Sequence, residues 1–171
     1  MLVLLFVFTA SADPIVVGGG WTAFCFGGPG SPAVAGGCVD PTGGNPFTWT
    51  STQPVFLTIT DTFLHGDTFS AIDSVAGLVL TTPVVAAGGS TCAAGGGFGS
   101  DPNCAVLDPL YSHGSVFLSA GFHSIDIFTV LSPFAGGQAN LRVDAVPEPG
   151  TLLLLGTGLL GLGAKLRKRF T

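Results

Sequence analysis

The sequence predicts an all-β ectodomain, an antiparallel β-sandwich of jelly-roll type, followed by a C-terminal transmembrane helix. Three observations predict it. Residues 13–146 contain nine Asp, one Arg, no Glu and no Lys, and are rich in Thr, Ser, Val, Phe and Gly. That composition disfavours helices and suits strands joined by turns. Short apolar runs are punctuated by Gly and Pro, and no sustained helical period occurs outside the tail. Finally, residues 150–164 carry no charge, and four of the chain's five basic residues follow within the last seven positions.

Taken in order, the chain opens with Leu2–Phe8, an apolar run too short to span a bilayer, and then Ala10-Ser11-Ala12. A small-x-small pattern after an apolar run predicts the back half of a secretory signal peptide, cut before Asp13. The expected division is therefore 1–12 partial signal peptide, 13–146 β-domain and 147–171 tail. A signal peptide of this kind carries a basic region before the apolar run, so the expectation is a true start upstream of Met1.

Gly18–Gly44 holds ten Gly in 27 positions and reads as a long surface loop. Val55–Asp61 reads as a strand with Leu57 and Ile59 on one face, and Thr58 and Thr60 on the other. His65-Gly66-Asp67 is a turn signal. Thr68–Val75 and Leu78–Val85 read as two further strands around Gly77. Gly88–Gly99, with six Gly in 12 positions, reads as a second loop. Ser115–Gly121 and His123–Leu131 are strands, the latter with Ile125, Ile127 and Thr129 on one face. Leu141–Val143 closes the series. About 130 residues suffice for one sandwich core.

The tail reads Val146-Pro147-Glu148-Pro149-Gly150, then an uncharged Leu/Gly stretch to Ala164, then Lys165, Arg167, Lys168 and Arg169. As a helix, 150–164 rises roughly 22 Å, short of a hydrocarbon core of about 30 Å. Flanking residues or a thinned bilayer make up the difference. The basic cluster keeps the tail cytoplasmic and places 13–146 across the membrane. Pro147 and Pro149 around Glu148 favour an extended backbone, which a membrane protease can grip.

Pro147-Glu148-Pro149, a Gly/Leu helix and an Arg/Lys cluster, in that order, resemble the PEP-CTERM sorting signal, a segment also catalogued as the ice-binding protein C-terminal domain. The resemblance implies a Gram-negative bacterium and an exosortase, a membrane enzyme that processes the signal and passes the protein to the surface. It also implies an association with exopolysaccharide and biofilm. The stretch Thr60-Asp61-Thr62-Phe63-Leu64-His65-Gly66-Asp67-Thr68-Phe69 and the strand start Ala120-Gly121-Phe122-His123-Ser124-Ile125 resemble repeated features of small exported PEP-CTERM β-domains. That second resemblance implies fold and export, not chemistry.

The remaining candidates are weighed on chemistry. Four cysteines allow three pairings. Sequence-local pairing, Cys25 with Cys38 and Cys92 with Cys104, is the simplest, since each closes its own Gly-rich loop, and export favours oxidation. A zinc site would need closer Cys spacing. Asp61, Asp67 and Asp73, spaced by six, are the candidate ligands of a structural Ca²⁺. His65, His113 and His123 share no close ligand spacing and read as turn and strand-end residues. No G-x-S-x-G elbow and no phosphate-loop signature occurs. Trp21 and Trp49 are core residues or, in the rival reading, a sugar-stacking platform.

These readings lead to a non-enzymatic, exported cell-surface or matrix protein, structural or adhesive, in contact with exopolysaccharide. The alternative is a carbohydrate-binding β-module stabilised by Ca²⁺. The expected partners are an exosortase-type enzyme, exopolysaccharide and, before processing, the inner membrane. The final location is the cell surface, the outer membrane or the medium. Nucleic acid is excluded as a partner, because residues 13–146 lack the Lys and Arg that a phosphate backbone requires.

Overall fold

A computed structural model describes residues 11–38, 44–92 and 101–146. Ten strands and one short helix follow in order: β1 (Asp13–Pro14), β2 (Thr22–Gly27), β3 (Val34–Ala35), β4 (Phe47–Ser51), β5 (Val55–Asp61), β6 (Thr68–Asp73), β7 (Gly77–Thr81), α1 (Pro102–Ala105), β8 (His113–Leu118), β9 (Gly121–Leu131) and β10 (Gly136–Ala145). They form two five-stranded sheets, one in the order β1-β4-β9-β6-β7 and the other in the order β3-β2-β10-β5-β8. The protein is all-β. Every pairing is antiparallel except the two-residue ladder of β1 on β4. That short parallel edge departs from the wholly antiparallel expectation.

The core between the sheets follows from strand alternation. Phe24 and Phe26 of β2, Leu57 and Ile59 of β5 and Leu141 and Val143 of β10 come from one sheet. Phe47 and Trp49 of β4, Phe69 and Ala71 of β6 and Ile125 and Ile127 of β9 come from the other. All belong to one buried cluster. Four Phe rings bind its centre. Phe69 meets Phe24 edge-on at 5.5 Å and Phe26 at 4.8 Å, and Phe24 lies 6.1 Å from Phe47.

The strand expected at Val55–Asp61 forms as read. The strand expected at Thr68–Val75 stops at Asp73, because the Asp73 carboxylate accepts the backbone N–H groups of Val75 and Ala76 and turns the chain. Its successor is β7, which ends at Thr81, two residues before Pro83. β10 is longer than the expected Leu141–Val143, because it starts at Gly136 and pairs with both β2 and β5.

Gly18–Gly44 is not simply a surface loop. It contains β2, which lies between β3 and β10 and buries Phe24 completely. The local Gly content hid a five-residue apolar alternation, Thr22-Ala23-Phe24-Cys25-Phe26, whose Phe residues face the core. β4 was likewise unread. Of the second loop, residues 93–99 lie outside the described residues.

The expected sorting helix and most of the expected signal peptide also lie outside them. So do Pro147, Glu148, Pro149, Lys165, Arg167, Lys168 and Arg169. Among the described residues, no helix is long and apolar enough to cross a membrane.

Candidate functional site

Both disulfides form as the local pairing expected. Cys25 bonds Cys38, with Cα atoms 4.7 Å apart, and Cys92 bonds Cys104, with Cα atoms 5.6 Å apart. The first ties the central strand β2 to the chain after β3. The second holds α1 against the segment around Cys92. There a small second core forms from Cys92, Ala105 and Tyr111. The Tyr111 hydroxyl accepts the N–H groups of Thr91 at 2.9 Å and Cys92 at 3.1 Å. Asp101 caps α1 through Asn103 N–H at 2.9 Å, with Pro102 in the first helical turn.

The three expected Ca²⁺ ligands do not converge. Asp61 ends β5 and Asp67 stands just before β6, so the turn between them brings both into the interior, where both are buried. Asp73 lies at the far end of β6, roughly 20 Å along the strand from Asp67. Among the described residues, no group of three His, Cys, Asp or Glu side chains is arranged to hold a metal ion.

The Asp61–Asp67 pair is nonetheless unusual. Asp61 Oδ2 accepts the N–H groups of Gly66 and Asp67, both at 3.1 Å. Oδ1 of Asp61, Oδ1 of Asp67 and Oγ1 of neighbouring Thr68 are buried without a hydrogen-bond partner. Burial, then repulsion from Asp67, pushes Asp61 up to about 8, against the pull of its backbone N–H donors. Burial also raises Asp67, with a hydrogen bond from Ser132 opposing it. A turn that the sequence marks as polar is thus an interior carboxyl pair that holds a proton at neutral pH.

Asp73 belongs to a different constellation. Its Oδ2 lies 2.7 Å from His123 Nδ1, and His123 Nε2 lies 2.9 Å from the Ser119 carbonyl. Both side chains are buried. The Trp49 ring lies 5.3 Å from the imidazole, tilted by 31°. Burial alone would raise the Asp73 carboxyl, but hydrogen bonds from His123, Val75 and Ala76 outweigh it and hold the group below the usual carboxylate range.

The other expected residues fall into structural places. His65 Nδ1 meets the Ala86 carbonyl at 2.7 Å, and its ring packs edge-on against Tyr111. His113 Nδ1 lies 2.9 Å from the Tyr111 carbonyl. Trp49 is buried in the core, so it offers no platform to a sugar. Trp21 is half-buried. Arg142 lies over its ring at 4.5 Å, and its Nε1 donates to Asn103 Oδ1 at 2.9 Å. Arg142 also pairs with Asp144 at 2.9 Å. Sequence reasoning missed this cluster because its members come from the loop before β2, from α1 and from β10.

The geometry therefore defines a disulfide-stapled β-domain whose last strand, β10, leads straight into the C-terminal tail. Val146 N–H still bonds the Pro54 carbonyl at 2.9 Å. The family model of the PEP-CTERM protein-sorting motif matches residues 145–169, beginning at the last residue of β10. The chain carries a PEP-CTERM protein-sorting motif at its C-terminal end, and the motif implies export and exosortase sorting at the membrane. The match covers the tail and carries nothing about the β-domain. No curated protein and no solved structure matches the chain.

Proposed function

We propose that the chain is a non-enzymatic, structural or adhesive component of the cell surface or extracellular matrix, in contact with exopolysaccharide. The observation that carries this reading is the junction itself. The sorting motif starts where β10, a central strand, ends. Processing after Val146 would deliver an intact, disulfide-stapled domain with its core unaltered. The strand order supports a jelly roll: of the eight long strands counted from β2, one sheet holds the first, eighth, third and sixth, and the other the second, seventh, fourth and fifth. A non-enzymatic role is supported by the engagement of its acid and imidazole groups. Asp73, His65 and His123 are committed to internal hydrogen bonds, and Asp61 is buried.

The test is the mass of the mature C-terminal peptide, from cells separated into membrane, surface and medium fractions. A chain ending near Pro149 outside the inner membrane supports the proposal. A chain retaining Lys165–Thr171 in the inner membrane overturns it. A deletion strain then reports the matrix role by loss of cell–cell cohesion.

A second reading, a carbohydrate-binding module stabilised by Ca²⁺, is favoured by the partnerless Oδ1 atoms of Asp61 and Asp67. A divalent ion between them would neutralise both buried charges and accept their free lone pairs. Its test is a melting temperature that Ca²⁺ raises and chelator lowers, with glycan binding that Trp21→Ala abolishes.

A further inference from the structure

His123 is enclosed by acceptors. Nδ1 faces the Asp73 carboxylate at 2.7 Å and Nε2 faces the Ser119 carbonyl at 2.9 Å. A neutral imidazole has one N–H and one lone pair, so it can satisfy only one of these oxygens. The other nitrogen would then point its lone pair at an oxygen. Only the imidazolium donates to both. The second Asp73 oxygen is already engaged by Val75 and Ala76, so Oδ2 is reserved for the ring. Trp49 of β4 adds an aromatic face beside the cation. Among the described residues, Asp73 is the only ionisable side chain in hydrogen-bond or ion-pair contact with the imidazole.

The place of this group in the fold gives it a consequence. Leu118 pairs with Val55, and Val55 pairs with Ala145, the last residue of β10. Ser119 follows directly. His123 therefore bridges three segments: the end of β6, the β8–β9 turn and, through Trp49, β4. All three lie at the end of the domain from which the chain leaves toward residues 147–171.

We propose that His123, held as an imidazolium between Asp73 and the Ser119 carbonyl, is a pH-sensitive clamp on the end of the β-domain that carries the sorting signal. Loss of its second ring proton breaks one of the two bonds inside the domain and releases the β8–β9 turn from the end of β6. Histidine is the side chain whose ordinary charge change falls between pH 5 and 8.

The test follows the ¹⁵N signals of the histidine side chains from pH 5 to 9 in the purified protein, with melting temperatures over the same range for wild type, His123→Gln and Asp73→Asn. His65, His113, Asp61 and Asp67 are unchanged in all three, so the difference between wild type and variants isolates the clamp. The expected result is that His123 shows two protonated ring nitrogens at the acid end. Wild type then loses several degrees more than either variant over the interval in which that ring gives up its second proton. A neutral His123 ring throughout the folded range overturns the proposal. So do identical pH slopes in wild type and both variants. If the variants fail to fold, the wild-type ¹⁵N spectrum decides alone, with Trp49 emission, read in a Trp21→Phe background, as the second measurement.

Discussion

Phe24→Ala tests whether the Gly-rich segment truly supplies a core strand. Phe24 is fully buried on β2, with its ring 5.5 Å from Phe69, 6.1 Å from Phe47 and 6.3 Å from Phe26. Truncation removes the ring from the centre of four aromatics and leaves a cavity that β-strands on both sides cannot collapse. Such a change costs about 3–5 kcal/mol. Domains of this size have about 5–15 kcal/mol in total. With roughly 4 °C lost per kcal/mol, the melting temperature falls by roughly 12–20 °C. The comparison is Phe56→Ala. Phe56 lies on β5 but faces outward, is 41% exposed and touches Phe117 at 5.8 Å. Its loss costs under about 1 kcal/mol. The assay is thermal and urea unfolding of both variants, with Phe24→Leu as a milder substitution that keeps most of the apolar volume. If Phe24→Ala costs no more than Phe56→Ala, β2 is not a core strand and the packing described for it is wrong.

Free-thiol counting on native protein gives no reactive thiol, and replacing either Cys pair by Ser costs about 3 kcal/mol, from closed loops of about 14 residues. Asp61 makes stability fall with rising pH. Its folded form keeps a proton that the unfolded chain releases near pH 4, so its contribution is complete below pH 4 and declines up to about 8. Denaturant titrations from pH 5 to 9 should show this slope in wild type and a flatter one in Asp61→Asn. Asp73 acts oppositely: its stabilisation is present above about pH 4 and is lost as acid protonates it, a loss that Asp73→Asn abolishes in acid-unfolding curves. Gly136→Ala should destabilise by about 1–3 kcal/mol in urea unfolding, since Gly136 has φ +132° and an added Cβ would lie 2.7 Å from the Phe26 carbonyl oxygen.

Strands whose apolar residues alternate locally were legible: β5 and β9 are where the pattern of Leu57/Ile59 and Ile125/Ile127 placed them. β2 was not, because Gly18, Gly19, Gly20 and Gly28 flank a strand of only six residues that itself ends in Gly27, and composition averaged over the segment reports the glycines. Strand ends set by side-chain hydrogen bonds were equally hidden. Whether Asp73 caps a turn or continues a strand depends on Val75 and Ala76 N–H reaching its carboxylate, which is a matter of three-dimensional geometry. The cysteine pairs were legible because the closures are local. The acidic spacing misled. Six-residue spacing suggested a shared ion for Asp61, Asp67 and Asp73, but Asp61 and Asp67 are joined across a turn, whereas Asp67 and Asp73 are separated by the length of a strand. A regular interval in sequence means proximity only where the backbone reverses between the residues.

The same distinction explains why the tail was readable and the β-domain's chemistry was not. A sorting signal is a linear object: Pro-Glu-Pro, an apolar stretch and a basic cluster act in chain order, and that order is what the match at 145–169 reports. The interior groups of the domain work by contact across long separations. His123 meets Asp73 fifty residues away, and Trp21 meets Asn103 eighty-two residues away. With only one Arg and no Lys in 13–146, this domain cannot neutralise its nine Asp by salt bridges. It buries Asp61 with a proton, gives Asp73 a histidine and ties Asp101 and Asp108 to backbone N–H groups. The Asp61 arrangement keeps a proton in the folded state and the Asp73 arrangement favours the carboxylate, so this acidic domain should be most stable on the mildly acid side of neutrality. A stability maximum above pH 8 would show that the Asp61 proton does not contribute to the fold.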